Sequence, residues 1–248
     1  MALRVSTDGA VRVLTLDDAA TRNALDTGTC EALRNALDEA ENEPGVRAIL
    51  LTGAGGVFCS GANFDELAGA NAASFGVAYH AALDRLESIP IPVVAAINGL
   101  ALGGGLLLAL AADLRVLHPA AIVGIPAARL GRVLDAANIA RVVRVAGGAG
   151  AREVLLLGDR IDAGRALALG LAHRPGDLDD ALAVARELAT RAPLSLAAAK
   201  LGIRAAEAGD AARLEKVTAS FAAAAATDQA EGIAAWREGR DPQFGEKS

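Results

Sequence analysis

The sequence predicts an α/β fold, and three features of its 248 residues support this prediction. Two segments, 49–67 and 92–113, each begin with a short apolar run, which is typical of a strand buried on both faces. Each run leads through glycines into the start of a helix. Near the N-terminus, two segments of alternating polarity flank Asp8-Gly9, a pair favoured in the turn of a β-hairpin.

Further elements follow from periodicity along the chain. A helix over 27–42 is predicted because Leu33 and Leu37 lie four residues apart and therefore share one face. The other predicted elements are strands at 46–52, 93–97, 114–118 and 121–125, and helices at 71–89, from the glycines at 103–105 to about Asp113, 178–191, 193–208 and 211–226.

Composition excludes several classes of protein. Hydrophobic residues make up 53% of the chain, but no run reaches the roughly 18 apolar residues of a membrane span. The net charge of −6 disfavours nucleic acid as the main partner, because phosphate binding needs a basic surface. Two cysteines are too few for a disulfide framework, and no metal-ligand cluster is evident. The first residues lack a signal-peptide pattern, so a cytoplasmic location is expected.

The two glycine-containing segments each offer a main-chain amide without an obvious partner. A helix start leaves its first N–H groups free, and glycine lets a ligand approach the backbone. The N–H groups near Ala62 and Gly104 could therefore close on one carbonyl oxygen, as in an oxyanion hole. The alternative is that both glycine runs are simply tight connections.

Residues 58–64, F-C-S-G-A-N-F, and 92–105, P-V-V-A-A-I-N-G-L-A-L-G-G-G, together resemble the crotonase (enoyl-CoA hydratase/isomerase) superfamily. The resemblance implies a spiral of repeated β-β-α units over 1–190 and a helical oligomerisation region over 191–248, giving a homotrimer or a dimer of trimers. It also implies that the Ala62 and Gly104 amides bind the thioester oxygen of an acyl-CoA. No separate cofactor is expected, because coenzyme A is part of the ligand.

The same resemblance indicates residues along coenzyme A. The loop at Arg22 is implied to follow the CoA chain, where Arg22 either meets a phosphate or is a solvated loop arginine. Trp236 and Arg240 are further candidates near the adenine. A lysine that some family members carry after the first motif is absent here. The implied CoA-site residues are Arg22, Ala24, Ser60, Ala62, Phe64 and Gly104.

Three side chains near these segments invite catalytic interpretations. Cys59 and Ser60 precede the first amide, but the G-x-S-x-G nucleophile pattern is broken because Phe58 occupies its first glycine position. Loop packing is therefore the favoured interpretation for both. His80 lies in the predicted helix over 71–89, which covers the acyl pocket in the family. It is interpreted as an ordinary helix histidine, with general-base chemistry as the alternative.

Two positions argue against an ordinary hydratase. Hydratases of the family use two glutamates, and here Leu107 and Ala127 stand in their places. Positioned proton transfer contributes about 10²–10⁴-fold per group, and neither side chain can supply it. Asp135 lies where aroyl-CoA dehalogenases of the superfamily carry a catalytic aspartate. It is interpreted as a base or nucleophile, as a helix N-cap, or as both.

The chain further resembles actinobacterial crotonase-like proteins that bind long acyl-CoA without turning it over. Leu107 and Ala127 suit this function because they make the pocket apolar. The sequence therefore predicts an acyl-CoA-binding protein of fatty-acid metabolism. The alternatives are an enzyme that uses Asp135 as a hydrolase, isomerase or decarboxylase, and a residual enoyl-CoA hydratase. A serine peptidase is disfavoured because no Ser-His-Asp set can be assembled.

Overall fold

The structure is a computed structural model that describes residues 2–68 and 72–245, and it confirms the predicted α/β fold. The strands are β1 (Leu3–Asp8), β2 (Val11–Leu16), β3 (Ala48–Gly53), β4 (Val57–Cys59), β5 (Val93–Ile97), β6 (Leu100–Leu102), β7 (Leu114–Leu117), β8 (Ile122–Gly124), β9 (Ile161–Asp162) and β10 (Arg174–Pro175). The helices are α1 (Thr27–Asn42), α2 (Phe64–Ala68), α3 (Ala72–Ser88), α4 (Gly104–Leu110), α5 (Ala136–Arg152), α6 (Ala163–Ala168), α7 (Leu178–Ala189), α8 (Pro193–Glu207), α9 (Ala211–Ala224) and α10 (Ala226–Glu238).

The strands of the described residues form two sheets that the chain visits in turn. One sheet has the order β1-β2-β3-β5-β7-β10, and the other has the order β4-β6-β8-β9. The first two strands form the predicted antiparallel hairpin, and β2, β3, β5 and β7 are mutually parallel neighbours. Successive units such as β3-β4 and β5-β6 therefore place one strand in each sheet before a helix, which is the predicted β-β-α spiral.

Strand β3 shows why the apolar runs are continuous. All six of its residues are buried, and alternate side chains enter two different cores. Ile49 and Leu51 pack in the large core with α1 and α3, whereas Ala48 and Leu50 pack in a smaller core with residues of α7. Because successive strand residues point to opposite faces, a strand covered on both sides must be apolar throughout.

Some predicted elements differ from the observed ones. Short strands β4 and β6 lie within the stretches that the sequence analysis treats as turns and glycine loops. Helix α4 ends at Leu110, three residues before the predicted end, and the Asp113 side chain beyond it accepts a hydrogen bond from Val93 N at 2.7 Å. Helix α10 is not foreseen. The predicted start of helix 71–89 lies at residue 71, outside the described residues.

The C-terminal region is helical, as predicted, and α8 is tied to the spiral by charged side chains. Lys200 Nζ donates to Leu86 O, Ile91 O and Asp113 Oδ2 at 2.8–3.1 Å. The division at residue 190 and the trimerisation role of this region stay predictions. Among the described residues, no helix combines the length and apolar character needed to cross a bilayer.

Candidate functional site

The two amides singled out in the sequence lie side by side. Ala62 follows β4 and Gly104 is the first residue of α4. A Cβ placed on Gly104 would lie 3.4 Å from Ala62 N, and one placed on Gly61 would lie 3.8 Å from Gly104 N. In the described part of the chain, neither N–H donates to a protein acceptor. The arrangement offers two donors to one ligand atom.

Glycines set this geometry. Gly103, with φ 52° and ψ −119°, turns the chain from β6 into α4 in a left-handed conformation that favours glycine. Gly105 lets α4 approach the first segment, because a Cβ on it would lie 2.4 Å from Cys59 O. The close contact between the two segments therefore depends on the absence of side chains.

The amides open into a cavity of about 380 Å³ between the spiral and α3. Its wall brings together Ser60, Ala62, Phe64, Gly104 and Asp135 from the predicted site. Its remaining described lining is mainly apolar and comprises Gly61, Leu67, Ala72, Phe75, Gly76, Tyr79, His80, Leu102, Gly103, Leu107, Ile125, Pro126, Ala127, Leu130, Arg132, Val133, Leu134 and Asn138. A largely apolar cavity with a few convergent polar groups is typical of a small-molecule site.

Leu107 and Ala127 both line this cavity. Leu107 lies on α4, one turn beyond Gly104, and is buried. Ala127 lies at the start of the 3₁₀ turn Ala128–Leu130. Neither side chain can carry a proton, so the wall beside the amides lacks an acid or base at both positions. Among the described lining residues, Asp135 supplies the carboxylate of the cavity.

Asp135 is the N-cap of α5 and also contacts a histidine. Its Oδ1 accepts from Asn138 N at 3.0 Å, as the N-cap interpretation requires. Its Oδ2 lies 3.3 Å from His80 Nε2. Burial acts to raise the pKa of Asp135, but hydrogen bonds from Asn138 and the electrostatic interaction with His80 outweigh it, so the pKa lies below its usual value. The carboxylate is therefore a weak proton acceptor.

The loop before α1 lies against the first amide segment but does not line the cavity. Ser60 N donates to Arg22 O at 3.1 Å, and Leu25 N donates to Gly61 O at 2.8 Å. Arg22 is exposed and has φ 57°, while the neighbouring Asn23 is buried and donates to Val57 O at 2.7 Å. Arg22 and Ala24 thus flank the cavity from outside, next to Ser60.

Two other candidates have structural partners. Burial raises the pKa of the Cys59 thiol to about 12, which leaves it protonated and unreactive at neutral pH. Ser60 Oγ donates to Thr21 O at 3.0 Å. Both observations support the packing interpretation. No group of three or more His, Cys, Asp or Glu side chains suited to a metal ion occurs among residues 2–68 and 72–245.

The C-terminal candidates lie on or after α10 and do not line the cavity. Trp236 is 83% exposed. The Arg240 guanidinium donates to both carboxylate oxygens of Glu231, at 2.6 and 3.0 Å, and to Glu238 at 2.6 Å. Its charge is thus compensated within the same helical segment.

Sequence reasoning overlooked three residues of the wall. Tyr79 Oη donates to the Gly104 carbonyl oxygen at 3.3 Å, and its ring stacks on Phe75 with centroids 5.7 Å apart. Asn138 Nδ2 donates to Asp135 Oδ2 at 2.7 Å. Two patterns in the sequence could have indicated these residues. Phe75 and Tyr79 lie four apart in α3, and Asp135 and Asn138 lie three apart, so each pair shares one helix face.

Comparisons with known proteins show which proteins this chain is similar to. The family model for enoyl-CoA hydratase/isomerase matches residues 6–247. A probable enoyl-CoA hydratase, echA6, of Mycobacterium tuberculosis is 41% identical over 195 residues, 77% of either chain. A putative enoyl-CoA hydratase of Thermus thermophilus is 36% identical over 95% of this chain and 98% of its own. The crystal structure of an enoyl-CoA hydratase from Polaromonas is 32% identical and superimposes with a TM-score of 0.91, covering 99% of this chain and 100% of that one.

Proposed function

Because the chain belongs to the enoyl-CoA hydratase/isomerase family, we propose that it binds an acyl-CoA thioester in the cavity and does not catalyse ordinary hydration. The thioester oxygen accepts from the Ala62 and Gly104 amides. The acyl group lies along the apolar wall, and the protein serves fatty-acid metabolism as an acyl-CoA binder.

The observation that carries this proposal is the pairing of two unpartnered amides with a wall that has no acid or base at Leu107 or Ala127. Amide donors stabilise a polarised thioester oxygen. Hydration additionally requires one group that activates water and one that protonates the α-carbon. Leu107 and Ala127 do neither, while they favour burial of an acyl chain.

The decisive experiment measures binding and turnover on the same preparation. We expect calorimetric titration with a long-chain acyl-CoA to give saturable binding. Crotonyl-CoA should show no protein-dependent loss of the ultraviolet absorbance of its conjugated enoyl thioester. A hydratase would remove this absorbance because it saturates the double bond. Rapid hydration of crotonyl-CoA would contradict the proposal.

A variant at Gly104 tests whether the thioester oxygen binds between the two amides. In Gly104→Ala, the new Cβ would lie 3.4 Å from Ala62 N and 3.5 Å from Tyr79 Oη, contacts that the fold tolerates. It would occupy the space between the amides, so we expect acyl-CoA affinity to fall about tenfold or more, since each lost hydrogen bond to a polarised oxygen is worth about 1.5 kcal/mol. Gly28→Ala in α1 is the matched control and should bind normally.

A second candidate function is an enzyme that uses Asp135 on an acyl-CoA. The contact between Asp135 and His80 in the cavity wall favours it, because an aspartate beside a histidine is a common catalytic pair. The low pKa of Asp135 suits a nucleophile or an electrostatic partner better than a proton-abstracting base.

A substrate panel tests this second function. Turnover of any acyl-CoA by the wild-type protein that is lost in Asp135→Asn, with binding retained, would support it. Asparagine is as good an N-cap as aspartate, so the variant keeps the start of α5. Absence of turnover across the panel would contradict the enzymatic function and leave acyl-CoA binding as the proposed function.

We also propose that the protein assembles as a homotrimer or a dimer of trimers. Support comes from large apolar side chains exposed on the C-terminal helices, namely Ile203, Ile233 and Trp236. Analytical ultracentrifugation should give three or six times the 25.0 kDa chain mass. A monomer would contradict this proposal and leave acyl-CoA binding to be judged separately.

A further inference from the structure

A row of polar side chains runs along one face of α5, away from the cavity and into the protein. Asp135, Asn138 and Arg141 are spaced three residues apart, which places them on neighbouring turns of one helix face. Asn138 is 4% exposed and Arg141 is 2% exposed. A guanidinium buried so deeply needs partners for its charge and its donors.

The row is continuously hydrogen-bonded. Arg141 Nη1 donates to Asn138 Oδ1 at 2.7 Å, and Asn138 Nδ2 donates to Asp135 Oδ2 at 2.7 Å. The same Asp135 oxygen lies 3.3 Å from His80 Nε2. The four side chains thus link the cavity wall to a buried cation.

The chemistry of the buried arginine decides which atoms donate and which accept along this row of side chains. A guanidinium can donate but cannot accept, so the Asn138 atom that faces Arg141 must be the amide oxygen. The Asn138 NH₂ group must then face Asp135, whose oxygen accepts. An ionised carboxylate also accepts from its other neighbour, so the proton between Asp135 and His80 belongs on His80 Nε2.

A carboxylate holds Arg141 in place. Glu87 Oε1 accepts from Arg141 Nε at 2.7 Å and from Arg144 Nη2 at 2.8 Å, and Glu87 Oε2 pairs with Arg204 at 2.8 Å. Glu87 therefore compensates the buried charge and fixes the Arg141 guanidinium against α3. Asp84 Oδ1, at 4.0 Å from Arg141 Nη2, is mostly exposed and adds little.

We propose that Arg141 is a positioning residue for the cavity: through Asn138 it holds the Asp135 carboxylate against His80 Nε2, and so holds neutral His80 as the Nε2–H tautomer. The ring nitrogen Nδ1 is then the proton acceptor that His80 presents. This inference concerns the protein's own side chains and holds whether or not acyl-CoA is the ligand.

Nuclear magnetic resonance of ¹⁵N-labelled protein tests the proposal. The chain has three histidines, so a His80→Gln variant assigns the His80 signals. The spectra are recorded at about pH 9, above the titration range of ordinary imidazoles. In the wild-type protein we expect the Nε2–H form of His80, with the Asn138 NH₂ protons protected from exchange. A wild-type His80 protonated at Nδ1 would overturn the proposal without any variant.

Two arginine variants separate positioning from general stability. Arg141→Leu removes the donor to Asn138, so we expect Asn138 NH₂ exchange about fivefold faster, as loss of a roughly 1 kcal/mol hydrogen bond implies, together with a mixture of His80 tautomers. Arg144→Leu removes a second arginine from the same Glu87 oxygen without touching Asn138, and should leave both signals unchanged. Equal changes in the two variants would contradict the proposal.

Two further variants cover the case in which Arg141→Leu does not fold. Arg141→Lys can still only donate and should restore the wild-type tautomer. Asn138→Leu removes the side chain that links Arg141 to Asp135, while it leaves the Arg141–Glu87 pair intact. We expect a mixture of His80 tautomers in this variant. Retention of a single Nε2–H tautomer in Asn138→Leu would show that Asn138 and Arg141 do not position His80.

Discussion

Gly105 decides how closely α4 approaches the segment that carries the Ala62 amide. In Gly105→Ala the new Cβ would lie 2.4 Å from Cys59 O and 2.7 Å from Cys59 Cβ, and backbone atoms cannot rotate away. We expect a loss of about 1–3 kcal/mol in the free energy of unfolding, as for other overpacked cores. Urea unfolding measures it.

The control for this prediction is Gly28→Ala, whose new Cβ has its nearest neighbour at 3.7 Å. It should be neutral or stabilising by up to about 1 kcal/mol, because alanine favours a helix more than glycine does. Equal destabilisation of both variants would show that crowding at Gly105 is not the cause.

His173 makes stability depend on pH. Its Nδ1 accepts from Arg115 N at 3.1 Å, and burial together with the charges of Arg115 and Arg174 lowers its pKa to about 4. The unfolded chain binds this proton near pH 6.5, so the contribution is complete above about 6.5 and is lost as pH falls towards 4. We expect this contribution to the free energy of unfolding to be less than about 1 kcal/mol, because the residue is only partly buried and solvent screens its charge.

Urea unfolding at about pH 7.5 and 4.5 checks this effect against His173→Asn, which lacks a group that titrates in that range. The loss of stability on acidification should be smaller in the variant. An identical pH dependence would mean that other groups account for it.

Single residues show which features of the site the sequence could predict and which it could not. Ala62 and Gly104 were identifiable because each follows its own strand and glycine run, a local pattern. The contact between His80 and Asp135 was not identifiable, because packing of α3 against the start of α5 brings together residues 55 positions apart. No periodicity within either helix encodes that approach.

At the scale of elements, α1 depends on its first turn. Asp26 is the N-cap, and its Oδ1 accepts from Thr29 N at 2.6 Å. Asp26→Ala should lower the free energy of unfolding by about 1 kcal/mol, whereas Asp26→Asn should be close to neutral because asparagine caps as well as aspartate. Thermal unfolding of both variants tests the cap, and equal losses would assign the effect to charge instead.

The sequence predicts long elements better than short ones. Helix α1 was predicted with its observed bounds, because apolar residues four apart mark a buried face over several turns. Strands β4 and β6 have three residues each, too few to show an alternating pattern. Helix α10 was missed because little of it is buried, so its sequence carries a weak apolar stripe.

At the scale of the whole molecule, Glu87 joins three helices. It lies on α3 and pairs with Arg141 and Arg144 of α5 and with Arg204 of α8. Glu87→Leu would leave three arginines around an uncharged site, one of them deeply buried. We expect a loss of about 3–5 kcal/mol, as when one partner of a buried ion pair is removed.

Hydrogen exchange over residues 193–207 locates this effect, because α8 should lose protection first. Asp84→Ala is the matched control on the same helix. Its carboxylate is 66% exposed and 4.0 Å from Arg141, so a change within about 0.5 kcal/mol is expected. Unaltered exchange of α8 in Glu87→Leu would show that other contacts secure the C-terminal region.

The pair of donors at Ala62 and Gly104 belongs to the main chain of two separate turns of the spiral. Substitutions to residues other than proline that keep the backbone path therefore cannot delete these donors, although they can change every group that surrounds them. The lining of the cavity can consequently acquire or lose acids, bases and bulk over evolutionary time while the two donors persist. A directed-evolution campaign could vary the lining freely and would need to leave Gly103, Gly104 and Gly105 untouched.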